Sequence, residues 1–177
     1  IGLIFQEKGN IDIAEQIYKK CLSISEEIAA KKGNSMIVEL SHSYRKLGDI
    51  SQKKGDFNSA EELYIKCLSI DEYIVSKTEH IHSREDLAHT YRLLGDLYTK
   101  KENENLAEDF YRKALDLTEQ LAKEIDFKDS LIFLYDSIGN FFMTKGNLDK
   151  AEDFYRKGFI LAENIAEQTE TLNARNN

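Results

Sequence analysis

The feature that most constrains this chain of 177 residues is an internal repeat. A glycine in a similar context recurs at Gly2, Gly48, Gly95 and Gly139, with spacings of 46, 47 and 44 residues. The heptapeptide Ala-Glu-Asp-Phe-Tyr-Arg-Lys occurs identically at 107–113 and 151–157. Self-similarity at this period predicts a solenoid, in which copies of one supersecondary unit stack on their neighbours.

Each copy has the pattern of two helices. Leu40, Tyr44, Leu47 and Ser51 follow one another at intervals of four and three residues, which marks one face of a helix. The Lys-Gly-Asp triplet at 54–56 then predicts a turn, because glycine ends one helix and aspartate caps the next. The chain is 32% charged and has no proline. We therefore expect an all-α fold that is about 85% helical.

Glycines are predicted to have two roles. We expect Gly48, Gly95 and Gly139 to lie where the two helices of a pair approach closely, so that a larger residue would overpack the contact. The turn glycine is replaced by Glu102 in the third copy. There we expect Asn103 to take the left-handed conformation.

These motifs resemble the tetratricopeptide repeat, whose pattern is an aromatic residue, Leu-Gly, a second aromatic residue, Ala, a further aromatic residue and a small residue. Tyr91, Leu94, Tyr98, Ala107 and Tyr111 fill these positions in one copy. The resemblance implies a right-handed α-solenoid of antiparallel helix pairs. The implied boundaries are a partial repeat at 1–34, repeats at 35–80, 81–126 and 127–168, and a tail at 169–177.

Two departures point to a subtype of the family. The repeat spans 44–47 residues instead of the usual 34 or so. The final proline of the family pattern is missing, and Glu72, Glu119 and Glu163 stand near its place. Without proline the second helix can continue, which is similar to the long-helix variant in kinesin light chains and many bacterial signalling proteins.

The resemblance implies a scaffold that holds other polypeptides on its concave surface, which the first helices line. Helix geometry turns a set of side chains on those helices away from the core face. The candidate partner-binding residues are His42, Arg45, Asp49, Gln52, His89, Arg92, Asp96, Thr99, Phe133, Asp136, Asn140 and Met143.

Two interpretations of these residues are open. They form either a binding groove, in which a polar ladder leads to an apolar end, or a solvated face braced by the pairs Arg45–Asp49 and Arg92–Asp96. An amphipathic peptide would suit the groove, with its apolar end on Phe133 and Met143. A clamp for a C-terminal carboxylate is disfavoured because the two aspartates would repel it.

Other chemistry has little support in the sequence. No nucleophile–base pair, phosphate-binding loop or carboxylate pair suggests an enzyme, and no cofactor is implied. His82, Asp86 and His89 could share a helix face and hold Zn²⁺ or Ni²⁺, but surface histidines are the favoured interpretation and no metal is expected. A net charge of −8 without a basic stripe argues against nucleic acid and anionic membrane.

The cysteines give an expectation about compartment. Cys21 and Cys67 occupy equivalent positions in successive repeats, about 8–10 Å apart or more, which is too far for a disulfide. We expect two buried thiols and a cytoplasmic protein without a transmembrane segment.

The sequence therefore predicts a polypeptide-binding scaffold, as a segment of a larger regulatory protein. One alternative is a peptide-sensing module that controls an attached effector. The other is self-assembly through open solenoid ends. For the latter, the apolar end faces are Ile4 and Phe5 on one side and Phe154, Phe159 and Ile165 on the other.

Overall fold

The part of the chain that the structure describes folds into eight helices in four antiparallel pairs. The computed structural model describes residues 2–32, 37–78, 80–124 and 128–175. Helices make up 91% of these residues, none of which lies in a strand. The helices are α1 (Gly2–Glu7), α2 (Ile11–Lys32), α3 (Ile37–Lys53), α4 (Phe57–Lys77), α5 (Ile81–Lys100), α6 (Glu104–Glu124), α7 (Lys128–Thr144) and α8 (Leu148–Arg175). The predicted all-α solenoid is confirmed.

The turns inside the pairs use a left-handed residue, as predicted, with one correction. Gly9, Gly55 and Gly146 have φ of 76°, 79° and 71°. In the third pair the left-handed residue is Glu102, at φ 56°, and the assignment to Asn103 is wrong. Asn103 instead caps α6, since its Oδ1 accepts from the backbone N–H of Leu106 at 3.3 Å.

A tyrosine ring of the second helix packs on a glycine of the first helix in each pair. A Cβ added at Gly48 would lie 2.5 Å from Cε1 of Tyr64, and one added at Gly95 would lie 2.7 Å from Cδ1 of Tyr111. Gly139 has the same relation to Tyr155. The predicted close contacts are confirmed.

The hydrophobic core runs along the stack between neighbouring pairs. Leu94 and Leu97 of α5 are fully buried and belong to one cluster with Ala107, Leu134 and Phe141 from the adjoining helices. Helix α5 also contacts α7 directly, across α6 in the sequence. The first helices α3, α5 and α7 thus form the inner side of the stack, which we call the inner face.

Neighbouring pairs are joined by hydrogen bonds that place glutamates in a structural role. A tyrosine on each first helix donates to a glutamate on the preceding second helix: Tyr44 to Glu26 at 2.8 Å, Tyr91 to Glu72 at 3.0 Å and Tyr135 to Glu119 at 3.4 Å. Two of these glutamates stand near the place of the missing family proline. The replacement therefore supplies a bond between repeats.

Two expectations about the periphery change. Residues 169–175, assigned to a tail, continue α8, because no glycine or proline interrupts the helix after Gly158. Cys67 is buried and Cys21 is exposed, and both are free. Ser41, seven residues before Gly48, covers Cys67.

Candidate functional site

The predicted site residues lie on the three first helices, but not all of them point away from the core. Their exposed members are His42, His89, Phe133, Asp136, Asn140 and Met143. Asp49, Gln52, Arg92, Asp96 and Thr99 are half-buried. Only Arg45 is fully buried, with 5% of its surface exposed. The expectation that Arg45 faces a partner is therefore wrong.

Arg45 is drawn inward by two carboxylates from α4 and α5. Its Nη1 donates to Oδ1 of Asp86 at 2.7 Å, and its Nη2 donates to Oδ2 of Asp71 at 3.2 Å. Asp71 is 2% exposed and also accepts hydrogen bonds from Ser41 and from Thr90, the latter at 2.7 Å. A buried charge needs this degree of pairing, since a lone ion in the interior is costly.

Cys67 completes this set of side chains, which we call the polar junction: Ser41, Arg45, Cys67, Asp71, Asp86 and Thr90. The Sγ of Cys67 lies 3.1 Å from Oγ of Ser41 and 3.4 Å from Oγ1 of Thr90. Burial, with the charge of Asp71, raises the pKa of the Cys67 thiol. Cys67 is therefore a buried thiol in surroundings that disfavour the thiolate, as is typical of structural cysteines.

Asp86 connects the polar junction to the inner face. Nε2 of the exposed His42 lies 3.2 Å from Oδ2 of Asp86. Burial alone would raise the pKa of Asp86, but the hydrogen bonds and charges of His42 and Arg45 outweigh it and lower the pKa to about 2. The sequence interpretation of Asp86 as a metal ligand beside His82 does not fit these contacts, because His82 pairs with Glu85 at 2.7 Å.

One of the two predicted bracing pairs is present. Nη1 of Arg92 donates to Oδ2 of Asp96 at 2.6 Å. The other, Arg45–Asp49, is wrong because Arg45 is engaged inside, and Lys46 lies 3.7 Å from Asp49 instead.

The inner-face acids have a second, structural partner. Tyr64 donates to Asp49 at 2.8 Å, and Tyr111 donates to Asp96 at 2.7 Å. In the fourth pair, Tyr155 donates to Asn140 at 2.9 Å. These bonds hold the ring that packs on the glycine of the same pair.

Gln52 and Thr99 belong to the same structural contacts. Oε1 of Gln52 accepts from the hydroxyl of Tyr64 at 3.0 Å. Oγ1 of Thr99 donates to the carbonyl of Gly95 at 2.9 Å and lies 3.3 Å from the hydroxyl of Tyr111. Asp136 accepts a hydrogen bond from Asn140 at 3.2 Å.

A cavity of about 330 Å³ opens on the inner face between α5, α6 and α7. It is lined by Glu85, Asp86, Ala88, His89, Arg92, Thr118, Ser130, Phe133 and Leu134. The ring of His89 is open to this cavity. Nevertheless, the surrounding protein and the charges of Arg92, Arg45 and Lys46 lower the pKa of His89 well below its usual range.

The two apolar candidates do not form one patch. Phe133 is 68% exposed and lines the cavity beside Arg92. Met143 is 48% exposed but lines a different hollow, with Leu148, Tyr155 and Phe159 of the last pair. Ten residues of helix separate the two side chains by about 15 Å. One short apolar segment would not cover both.

Sequence reasoning missed the residues that neutralise Arg45 and those that line the cavity. Asp71 lies at a core-facing position of its second helix. The equivalent positions in the other repeats hold Ser25, Thr118 and Ala162. A carboxylate at a core position is the signal that would have indicated an internal cation. Thr118 and Ser130 carry no such signal in the sequence.

Family models match most of the chain. A tetratricopeptide repeat model matches residues 39–120, and a second model with the same description matches residues 1–28 and 134–164. The chain belongs to the tetratricopeptide repeat family. No curated protein has significant sequence similarity to it. The helix pairs and glycine–tyrosine contacts above are the repeat units of this tetratricopeptide repeat array.

Solved structures share the fold of the array. BtubC (BKLC) from P. vanneervenii is similar with a TM-score of 0.67, at 20% identity over 88% of this chain and 58% of that chain. The apo form of RapI gives 0.56, at 17% identity over 92% and 66% of the two chains. MamA gives 0.52, at 20% identity over 94% and 91%. The array thus spans less than two thirds of the length of BtubC and of RapI.

Within the described ranges, no helix of the array combines the length and apolar character needed to cross a membrane. The same residues contain no group of three metal-ligating side chains placed to hold an ion.

Proposed function

We propose that the inner face of this array binds a segment of another polypeptide. The tetratricopeptide fold supports a protein-interaction scaffold in general. The observation that favours the inner face is Phe133, a large aromatic side chain that lies exposed beside a cavity in the middle of α7. Its equivalents in the preceding pairs are His42 and His89.

The composition of this face suits a partner side chain that is partly apolar and partly polar. Phe133 and Leu134 give one apolar wall of the cavity, and Arg92 and His89 give a polar wall. Binding sites in proteins combine apolar area with a few placed polar groups in this way. The twelve predicted residues, except the buried Arg45, remain the proposed contacts.

The test is a titration with peptides selected from a random phage-displayed dodecapeptide library on the immobilised chain. Burial of one large apolar side chain contributes about 1.5–3 kcal/mol. Phe133→Ala should therefore weaken the selected peptides roughly 10- to 100-fold. Arg92→Ala should also weaken them, and Arg112→Ala, an exposed change on the second helix α6, should not.

The opposite pattern would place the partner elsewhere. If Arg112→Ala weakens binding and the two inner-face variants do not, the partner lies on the outer side of the array. If no selected peptide depends on Phe133, the inner face is not the binding surface. Thermal melts of all three variants separate a binding defect from unfolding.

A second candidate function is self-association, which a different observation favours. Leu148, Phe159 and Ile160 of α8 are at least half exposed. Leu148 and Phe159 also line a hollow of about 480 Å³ together with Met143. Contiguous apolar surface on a soluble repeat is a common site of protein contact. The peptide-sensing module with an attached effector remains a prediction. Both cysteines are free, which suits our proposal that the protein acts in the reducing cytoplasm.

A further inference from the structure

The two central junctions of the array can be compared position by position. Between the second and third pairs lies the polar junction, and between the third and fourth pairs lies the cavity. The repeat register places Arg92 at the position of Arg45, Thr118 at that of Asp71, Ser130 at that of Asp86, Ala88 at that of Ser41 and Leu134 at that of Thr90. The arginine is kept, and both carboxylates that neutralise it are replaced by hydroxyls.

This difference changes where the arginine side chain lies. Arg45 contacts two carboxylates and is buried. Arg92 contacts one, Asp96, through Nη1, and a quarter of its side chain is exposed. A guanidinium carries five N–H donors, so a second carboxylate can be accommodated beside the first. The contacts of Arg45 show that an arginine at this repeat position can bind two carboxylates.

The cavity lies beside Thr118 and Ser130, the residues that stand at the positions of Asp71 and Asp86 in the polar junction. Arg92, Thr118 and Ser130 all line it. Oγ1 of Thr118 donates to the carbonyl of Ala114 at 2.7 Å, one turn earlier in its own helix. A hydroxyl held in this way can rotate to donate to a ligand.

The two acidic side chains at the cavity are already paired. Glu85 contacts His82, and Asp86 contacts Arg45 and His42. The charges that surround His89 are mainly cationic, from Arg92, Arg45 and Lys46. A carboxylate that enters the cavity therefore approaches Arg92 while the two acids of the cavity wall already contact other side chains.

We propose that this cavity accepts the side-chain carboxylate of an aspartate or glutamate in the bound polypeptide. The carboxylate would bind Arg92, Thr118 and Ser130, with Phe133 and Leu134 against its aliphatic part. This assignment rests on the proposed inner-face function and specifies the chemistry of its ligand. The inner face continues past the cavity onto α3, so a side chain of a passing strand fits better than a chain end.

The test uses small probes and side-chain NMR of the labelled chain. N-acetyl-glutamate N-methylamide should shift the Nε–H resonance of Arg92 in a saturable manner. The matched glutamine amide should bind at least tenfold more weakly. N-acetyl-alanine, which carries only a chain-end carboxylate, should also bind at least tenfold more weakly.

A matched pair of variants places the effect in the cavity. Thr118→Asp with Ser130→Asp places the two carboxylates of the polar junction beside Arg92, between the third and fourth pairs. This variant should abolish the response to the glutamate probe. Thr118→Asn with Ser130→Asn is similar in size but neutral, and it should weaken the response less than the aspartate variant does, because it removes the two hydroxyls without adding negative charge. If the aspartate variant does not fold, Arg92→Gln carries the same test and should weaken the probe at least tenfold.

Three outcomes would overturn the inference. They are equal binding of the glutamine amide, stronger binding of N-acetyl-alanine, and an unchanged glutamate response in the folded aspartate variant or in Arg92→Gln. Selected peptides that depend on Phe133 but show no preference for an acidic residue would leave the proposed function intact and reject this assignment alone.

Discussion

Single residues determine how closely the two helices of a pair can approach. The rings of Tyr64 and Tyr111 occupy the space that a Cβ would need at Gly48 and Gly95. Both rings are buried, and their hydroxyls are held by Asp49 and Asp96. The glycine and the tyrosine therefore together set the distance between the two helices of a pair.

Replacing Gly95 with alanine should lower the free energy of unfolding by about 1–3 kcal/mol, since the ring of Tyr111 has little room to move. Gly158→Ala is the matched control, because a Cβ there would meet its nearest neighbour at an ordinary 3.6 Å. Alanine favours a helix over glycine by roughly 0.8–1.0 kcal/mol, so the control should be neutral or stabilising. Urea unfolding of both variants measures the difference. Equal effects at the two glycines would contradict the contact.

The sequence predicted these glycine contacts because the motif recurs in register four times. It predicted the wrong left-handed residue in the third turn, because both Glu102 and Asn103 fit the local pattern. Asn103 is the better cap for α6, which leaves the strained conformation to Glu102. The choice depends on competition between two adjacent positions, and a residue-by-residue reading does not resolve it.

Among the helices, α3, α4 and α5 are joined by charge as well as by apolar packing. Asp86 links the buried guanidinium of Arg45 to the exposed His42. The pKa of Asp86 is lowered to about 2, so the ionised carboxylate favours the folded state. The corresponding stability is present above about pH 4 and is lost as the pH falls from there towards 2.

Asp86→Asn should therefore lower the free energy of unfolding at pH 7 by about 2 kcal/mol. The difference from the wild type should shrink as the pH falls from about 4 to 2, where the native carboxylate becomes protonated. Urea unfolding at several pH values measures both effects. Asp116→Asn, a change at an exposed position of α6, should leave the pH dependence unchanged. A wild type and an Asp86→Asn variant that differ equally at pH 7 and at pH 2 would rule out this role.

The candidate site was harder to predict than the helices. Arg45 and Arg92 occupy equivalent positions, and the sequence alone treats them alike. Their environments differ because of Asp71 and Thr118, which lie on the neighbouring second helices about 26 residues further along the chain. Helical periodicity describes one helix at a time. It does not show which side chains of the next helix meet a given arginine.

The whole molecule has apolar side chains at both ends of the stack. At one end Ile4 is exposed and Phe5 is half-buried. At the other end Phe159 is exposed, whereas Phe154 and Ile165 are half-buried, with Phe154 stacked on Phe142 at 5.8 Å. The interior copies of the same positions, such as Leu115, pack against the core.

We predict that the chain associates with itself through the α8 surface at high concentration, since burying these side chains is favourable at about 25 cal/mol per Å². Sedimentation equilibrium should show a concentration-dependent increase in mass. Phe159→Asp should weaken the association at least tenfold, and Ile65→Asp, at an exposed position of α4, should not. A wild type that stays monomeric at millimolar concentration would exclude this surface as a self-association site.

The hydrogen bonds from Tyr44, Tyr91 and Tyr135 to the preceding glutamates repeat the same joint at each boundary. Equivalent joints bring equivalent side chains of successive first helices to a regular spacing, about 8–10 Å for packed helices. An extended polypeptide advances about 3.3 Å per residue. A strand lying across α3, α5 and α7 would therefore meet His42, His89 and Phe133 at intervals of about two to three residues. If the inner face binds such a strand, as we propose, specificity would lie in the spacing of the ligand residues as much as in their identity.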